Sequence, residues 1–154
     1  MKNVALVLVV FLAGILTAPA QDATLRLKHY NLDDKTAIQG YDPVAYFIQG
    51  KAVKGNKKNA VFHQGVYYYF SSEDNKEAFK ENPSKYEPAY GGWCAYAMGA
   101  TGEKVAVDPK TFKIVNGRLY LFYNRFFNNT LTDWNKDETA LKNKADANWQ
   151  KIFH

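Results

Sequence analysis

Residues 112–123 read Phe112-Lys113-Ile114-Val115-Asn116-Gly117-Arg118-Leu119-Tyr120-Leu121-Phe122-Tyr123. Two runs of β-branched and aromatic residues flank Asn116-Gly117, the strongest short hairpin signal, because the tight turn needs positive φ at both central positions. The same form occurs upstream, where Ala60-Val61-Phe62-His63 and Val66-Tyr67-Tyr68-Tyr69-Phe70 flank Gln64-Gly65. Two such hairpins make antiparallel pairing the basis of the fold.

Outward from the hairpins the pattern becomes helical. Ser71 and Ser72 end the first hairpin, and Ser71 with Asp74 three residues on fits a capping box. The helix it opens carries Ala78 and Phe79 inward and stops near Asn82, since Pro83 cannot continue it. Lys104–Val107 predicts one more strand, closed by a turn at Asp108-Pro109. Trp134, Leu141, Ala145, Trp149 and Ile152 fall on one face of a C-terminal helix. On the N-terminal side, Asp42-Pro43 signals a turn or helix start, and residues 21–37 are polar and mixed, a lead-in strand or arm. The expected class is α+β: a small antiparallel sheet of short hairpins with helices packed on it.

The chain has 154 residues, a formal net charge of +5 and 16% aromatic residues, including 11 Tyr and 10 Phe. Its core must therefore be built largely from rings, which bury much area per residue. Residues 1–20 read as an export signal: Lys2, an apolar run from Val4 to Thr17, then Ala18-Pro19-Ala20 as a small-x-small cleavage site. That run is short for a membrane span, so no stable span is expected once the signal is removed. The expected organisation is signal peptide 1–20, N-terminal arm 21–37 and one domain over 38–154, exported to a periplasm or secreted. Lys51, Lys54, Lys57 and Lys58 beside Gly55 and Asn56 read as a solvated loop. With no arginine-rich stripe, nucleic acid is not an expected partner.

Much familiar chemistry is excluded. The chain has no paired cysteines for a zinc knuckle, no haem-attachment motif, no phosphate-binding glycine loop and no nucleophile elbow. What stands out is one cysteine in Gly91-Gly92-Trp93-Cys94-Ala95-Tyr96-Ala97-Met98. A lone thiol is a small buried hydrophobe, a metal ligand or a reactive group. If Trp93–Met98 is helical, Cys94 and Met98 share a face, and thiolate plus thioether suits Cu(I). A third ligand must then come from elsewhere, and His63 at a strand end is the candidate. Asp42 and Asp108 each precede a proline and are explained by turn capping. Asn128-Asn129-Thr130 has the form of a glycosylation triplet.

Several stretches together resemble the YHS domain: Tyr41-Asp42-Pro43-Val44-Ala45-Tyr46-Phe47, Tyr69-Phe70-Ser71-Ser72, and Phe79 with Asn82, Pro83 and Tyr86. Tyr90–Ala97, Val115–Leu121 and Ala145–Trp149 are similar to the exported, stand-alone branch of that family. The resemblance covers roughly residues 38 to 150. It implies a small α+β domain similar to metal-associated modules of copper-transporting ATPases. In those modules cysteines occupy the places held here by Ala45 and Ser71, neither of which can supply a thiolate. In the stand-alone branch the Cys94 position can be selenocysteine, which implies redox or soft-metal chemistry there.

Three functional readings remain. The first is a soft-metal (copper-type) or thiol redox module centred on Cys94, with Met98 and His63 as auxiliary ligands. The second is a non-catalytic module that binds a small molecule or a protein, with Cys94 packed in the core. The third is an oxidoreductase, which would need an external thiol because the chain has no resolving cysteine.

Overall fold

The structure is a computed structural model that describes residues 18–154, with side chains from Asp22 onward. The expected export signal lies outside the described residues except for its last three, whose backbone opens the first helix. The expected α+β architecture is present. Among the described residues, eight short strands form three small sheets, and seven α-helices pack around them.

Both expected hairpins form. β3 (Asn56–His63) and β4 (Val66–Phe70) pair antiparallel, with His63 opposite Val66 across the Gln64-Gly65 turn. β5 (Asp108–Val115) and β6 (Arg118–Phe122) pair with Val115 opposite Arg118. The first sheet is completed by β1 (Leu32–Asp33) and β2 (Thr36–Ala37), in the order β1-β2-β4-β3. A third hairpin, β7 (Asn124–Arg125) with β8 (Asn128–Asn129), follows β6 directly.

Along β4, Val66, Tyr68 and Phe70 are buried while Tyr67 is exposed, the period-two signature of a half-buried strand. β6 is different, because Leu119, Tyr120, Leu121 and Phe122 are all buried. Its two faces serve two clusters. Leu119 and Leu121 join Val66, Tyr68, Phe70 and Phe79 in one. Tyr120 and Phe122 join Met98, Trp134 and Ala145 in the other. The expectation of a ring-built core holds in both.

Several local expectations are corrected or refined. Residues 21–37, expected as a lead-in strand or arm, hold most of a helix as well as short strands: α1 (Ala18–His29) is followed by the β1–β2 hairpin. The reason is tertiary. Arg26 pairs with Glu87, Tyr30 lies against Trp149 and Phe153, and Trp93 Nε1 donates to the His29 carbonyl at 2.6 Å. Residues 104–107 form no strand. Instead the Val105 carbonyl accepts from Cys94 N, and Asp108-Pro109 begins β5 ahead of a bulge. The cap of α3 (Glu73–Glu81) is Ser72, accepting from Asn75 N, because Ser71 is committed to Asp42. Pro83 does end α3, and it starts a further short helix, α4 (Pro83–Tyr86). The C-terminal helical pattern splits into α6 (Thr130–Trp134) and α7 (Glu138–Phe153), so Trp134 belongs to a separate helix.

Asp42-Pro43 does start a helix. Asp42 Oδ1 accepts from Val44 N at 2.9 Å and Ala45 N at 3.2 Å, ahead of α2 (Ala45–Ile48). No helix among the described residues is long and apolar enough to cross a membrane.

Candidate functional site: a cleft walled by Cys94

The Gly91-Gly92-Trp93 turn delivers the chain to Cys94, which is the N-cap of α5 (Ala95–Ala100). The helix therefore starts two residues later than the sequence pattern suggests, and Cys94 itself has extended-type ψ. Its backbone is fixed on two sides: N–H to the Val105 carbonyl at 2.9 Å, and a bridge to Leu121 at the end of β6. The side chain is fully buried, at 0% exposure.

Two polar groups meet the sulfur. Tyr123 N–H donates to Sγ at 3.4 Å, and Thr130 Oγ1 lies 3.4 Å away. Thr130 Oγ1 also donates to the Tyr123 carbonyl at 3.0 Å. A hydroxyl has one proton, so with that proton on the carbonyl, the thiol of Cys94 is the donor to Oγ1. A thiolate would instead draw the Thr130 proton and keep the Tyr123 N–H. One hydroxyl thus serves both forms of the sulfur.

Above this arrangement lies a cleft of about 320 Å³. Tyr96, Ala97 and Val105 contribute apolar surface, Glu103 supplies the one carboxylate, and Tyr123, Asn128 and Thr130 border the far side. Cys94 belongs to its wall. The cleft is framed by α5 and by the start of the β7–β8 hairpin.

The three sequence-nominated residues are not brought together. Met98 lies four residues along α5, but its side chain packs in the second cluster with Trp134 and Phe122, across the divide made by β6. His63 closes β3, with its ring edge-on to Phe79 at 6.0 Å. Burial holds its imidazole below the usual histidine range; Arg26 adds to this and Glu87 opposes it. Neither residue lines the cleft. No group of three or more His, Cys, Asp or Glu side chains suited to a metal occurs among the described residues. The donors at the sulfur are a hydroxyl and an amide N–H, so the residues present do not fit a Cu(I) site.

Ala45 and Ser71 do converge. Both backbone amides donate to the carboxylate of Asp42, which is itself fully buried. Ser71 Oγ at 2.6 Å and Asn75 Nδ2 at 2.8 Å complete its shell. The two positions thus meet at a buried carboxylate whose hydrogen bonds are satisfied. Turn capping was the expected role of Asp42, and the structure adds a junction of three segments to it.

Sequence reasoning missed Thr130, Tyr123, Val105 and Glu103 as neighbours of the thiol. Thr130 is 36 residues from Cys94 and Tyr123 is 29. No local pattern carries that proximity.

Fold and site together define a small α+β domain with one buried thiol set in the wall of a solvent-facing cleft. Compared with known proteins, the chain matches no family model, no curated protein and no solved structure.

Proposed function

We propose that this chain is an exported ligand-binding module whose cleft takes a small molecule with an apolar body and a hydrogen-bond-donating or cationic head. The observation that carries this reading is the cleft of about 320 Å³, within the range of small-ligand sites, with apolar walls and a single carboxylate at Glu103. The apolar body lies against Tyr96, Ala97 and Val105, and the head faces Glu103 and Asn128. Export is supported by the apolar N-terminal run and the resemblance to stand-alone YHS proteins.

The test uses hexanol and hexylamine as probes, read by amide chemical-shift mapping on the full domain. Shifts confined to residues 94–105, 123 and 128–130, stronger for the amine and abolished in Ala97→Phe, are the expected result. Probes that leave those amides unmoved in the unmodified protein overturn the reading.

A second reading, thiol chemistry at Cys94, is favoured by the Tyr123 N–H and the Thr130 hydroxyl at the sulfur. A reaction with a low-molecular-weight disulfide would form the Cys94 mixed disulfide and release one thiol, which takes the Cys94 proton. A small methanethiosulfonate that labels the native protein, at a rate lowered by Thr130→Val, supports this reading. Labelling only after unfolding sinks it and leaves Cys94 as packing.

A further inference from the structure

Among the described residues, four two-residue hairpin turns have positive φ at both central positions. Three use a polar residue or glycine: Asp34-Lys35, Gln64-Gly65 and Asn116-Gly117. The fourth, between β7 and β8, is Phe126-Phe127, at φ of 51° and 65°. Bulky aromatic residues are rare in that left-handed region, because Cβ crowds the following carbonyl.

These rings gain nothing from the fold in return. Phe126 is 88% exposed and Phe127 fully exposed, more than any other large apolar residue described. The hairpin that lifts them is anchored at its base. Asn124 Nδ2 donates to Thr111 Oγ1 at 2.9 Å, and the Asn129 side chain caps α6 by accepting from Leu131 N at 3.1 Å. Thr130 N is bonded to the Tyr123 carbonyl at 3.0 Å. The result is a firm, convex apolar point.

We propose that this tip inserts into the interface of an anionic lipid bilayer. A convex doublet ringed by Asn124, Arg125, Asn128 and Asn129 suits a soft medium, whereas a protein partner would have to supply a matching pocket. From Tyr123 to Asn129 the only charge is Arg125, and the whole chain carries +5. Arg125 therefore sits where lipid phosphate would lie as the rings enter the acyl boundary, with the asparagines at headgroup depth. Two rings alone give weak, reversible binding, so attraction to anionic lipid sets whether the protein stays.

The experiment is co-sedimentation of the full domain with vesicles of phosphatidylcholine alone and of phosphatidylcholine mixed with phosphatidylglycerol. Binding is expected to the mixed vesicles at low salt, and to weaken by about tenfold without phosphatidylglycerol or at high salt. The double variant Phe126→Asn/Phe127→Gly keeps a favoured turn and is expected to lose vesicle binding while retaining thermal stability. Arg125→Gln should lose the preference for anionic lipid. The proposal is overturned by no binding to either vesicle, or by equal binding of the double variant. It is also overturned if the unmodified protein forms a dimer that the double variant abolishes, because the tip then serves a second copy.

Discussion

Ser71 Oγ donates to Asp42 Oδ2 at 2.6 Å, and the same oxygen accepts the Ser71 amide and the Asn75 side-chain amide. With Val44 N and Ala45 N on Oδ1, one buried carboxylate holds together the start of α2, the end of β4 and the start of α3. Removing Asp42 strands several buried donors at once. Asp42→Ala should cost about 3 kcal/mol or more of unfolding free energy in urea, while Ser71→Ala, which leaves the other donors in place, should cost about 1 kcal/mol. Equal losses for the two would contradict the central role of the carboxylate.

Gly99 on α5 lies against the backbone of α7, where an added Cβ would stand 2.5 Å from the Leu141 carbonyl oxygen. Backbone cannot swing aside as a side-chain tip can. Gly99→Ala should therefore destabilise by about 1–3 kcal/mol despite its higher helix propensity. A more stable variant would mean that the two helices can part without loss.

Tyr120 contributes its ring to the second cluster, yet its buried hydroxyl finds no hydrogen-bond partner among the described residues. Tyr120→Phe removes that hydroxyl and keeps the ring. Its stability should lie between unchanged and about 1 kcal/mol higher, read by thermal unfolding. A clear loss would reveal a partner for the hydroxyl.

His63 packs against Phe79, and burial lowers its pKa from the usual 6.5, with Arg26 acting in the same direction and Glu87 against it. The folded state then binds the proton less readily than the unfolded chain. The stabilising contribution is present above about pH 6.5 and declines as pH falls through the lowered value. His29 is shifted in the same direction, by slight burial, Lys104 and Lys28. Melting temperature should drop between pH 7 and pH 5, and His63→Gln should flatten part of that slope. An unchanged slope would remove His63 from the account.

Local chemistry was readable wherever neighbours in sequence decide it. Asn116-Gly117 and Gln64-Gly65 specify their turns through φ, and Asp42 caps the helix that follows Pro43. The helix over residues 21–29 was missed because it has few internal signals; Glu87, Trp93 and Trp149, all distant in sequence, hold it in place. The site was half legible. Cys94 stood out as a lone thiol, but which ring or hydroxyl meets it depends on β6 being buried on both faces. That double burial sends Cys94 to one cluster and Met98 to the other, which spacing along a helix does not reveal. Phe126-Phe127 passed unnoticed because an aromatic pair at a strand end reads as core until its φ values are known.

Tyr30, just after the first helix described, meets Trp149 and Phe153 of the last, and burial there, with Glu87, pushes its hydroxyl pKa up to about 12. Such a clasp sets an order of events. During synthesis α1 is made long before the residues that seat it: Arg26 waits for Glu87, and Tyr30 waits exposed until residues 149–153 arrive. Among the described residues, the last turn of α7 thus completes the burial of the segment that leaves α1.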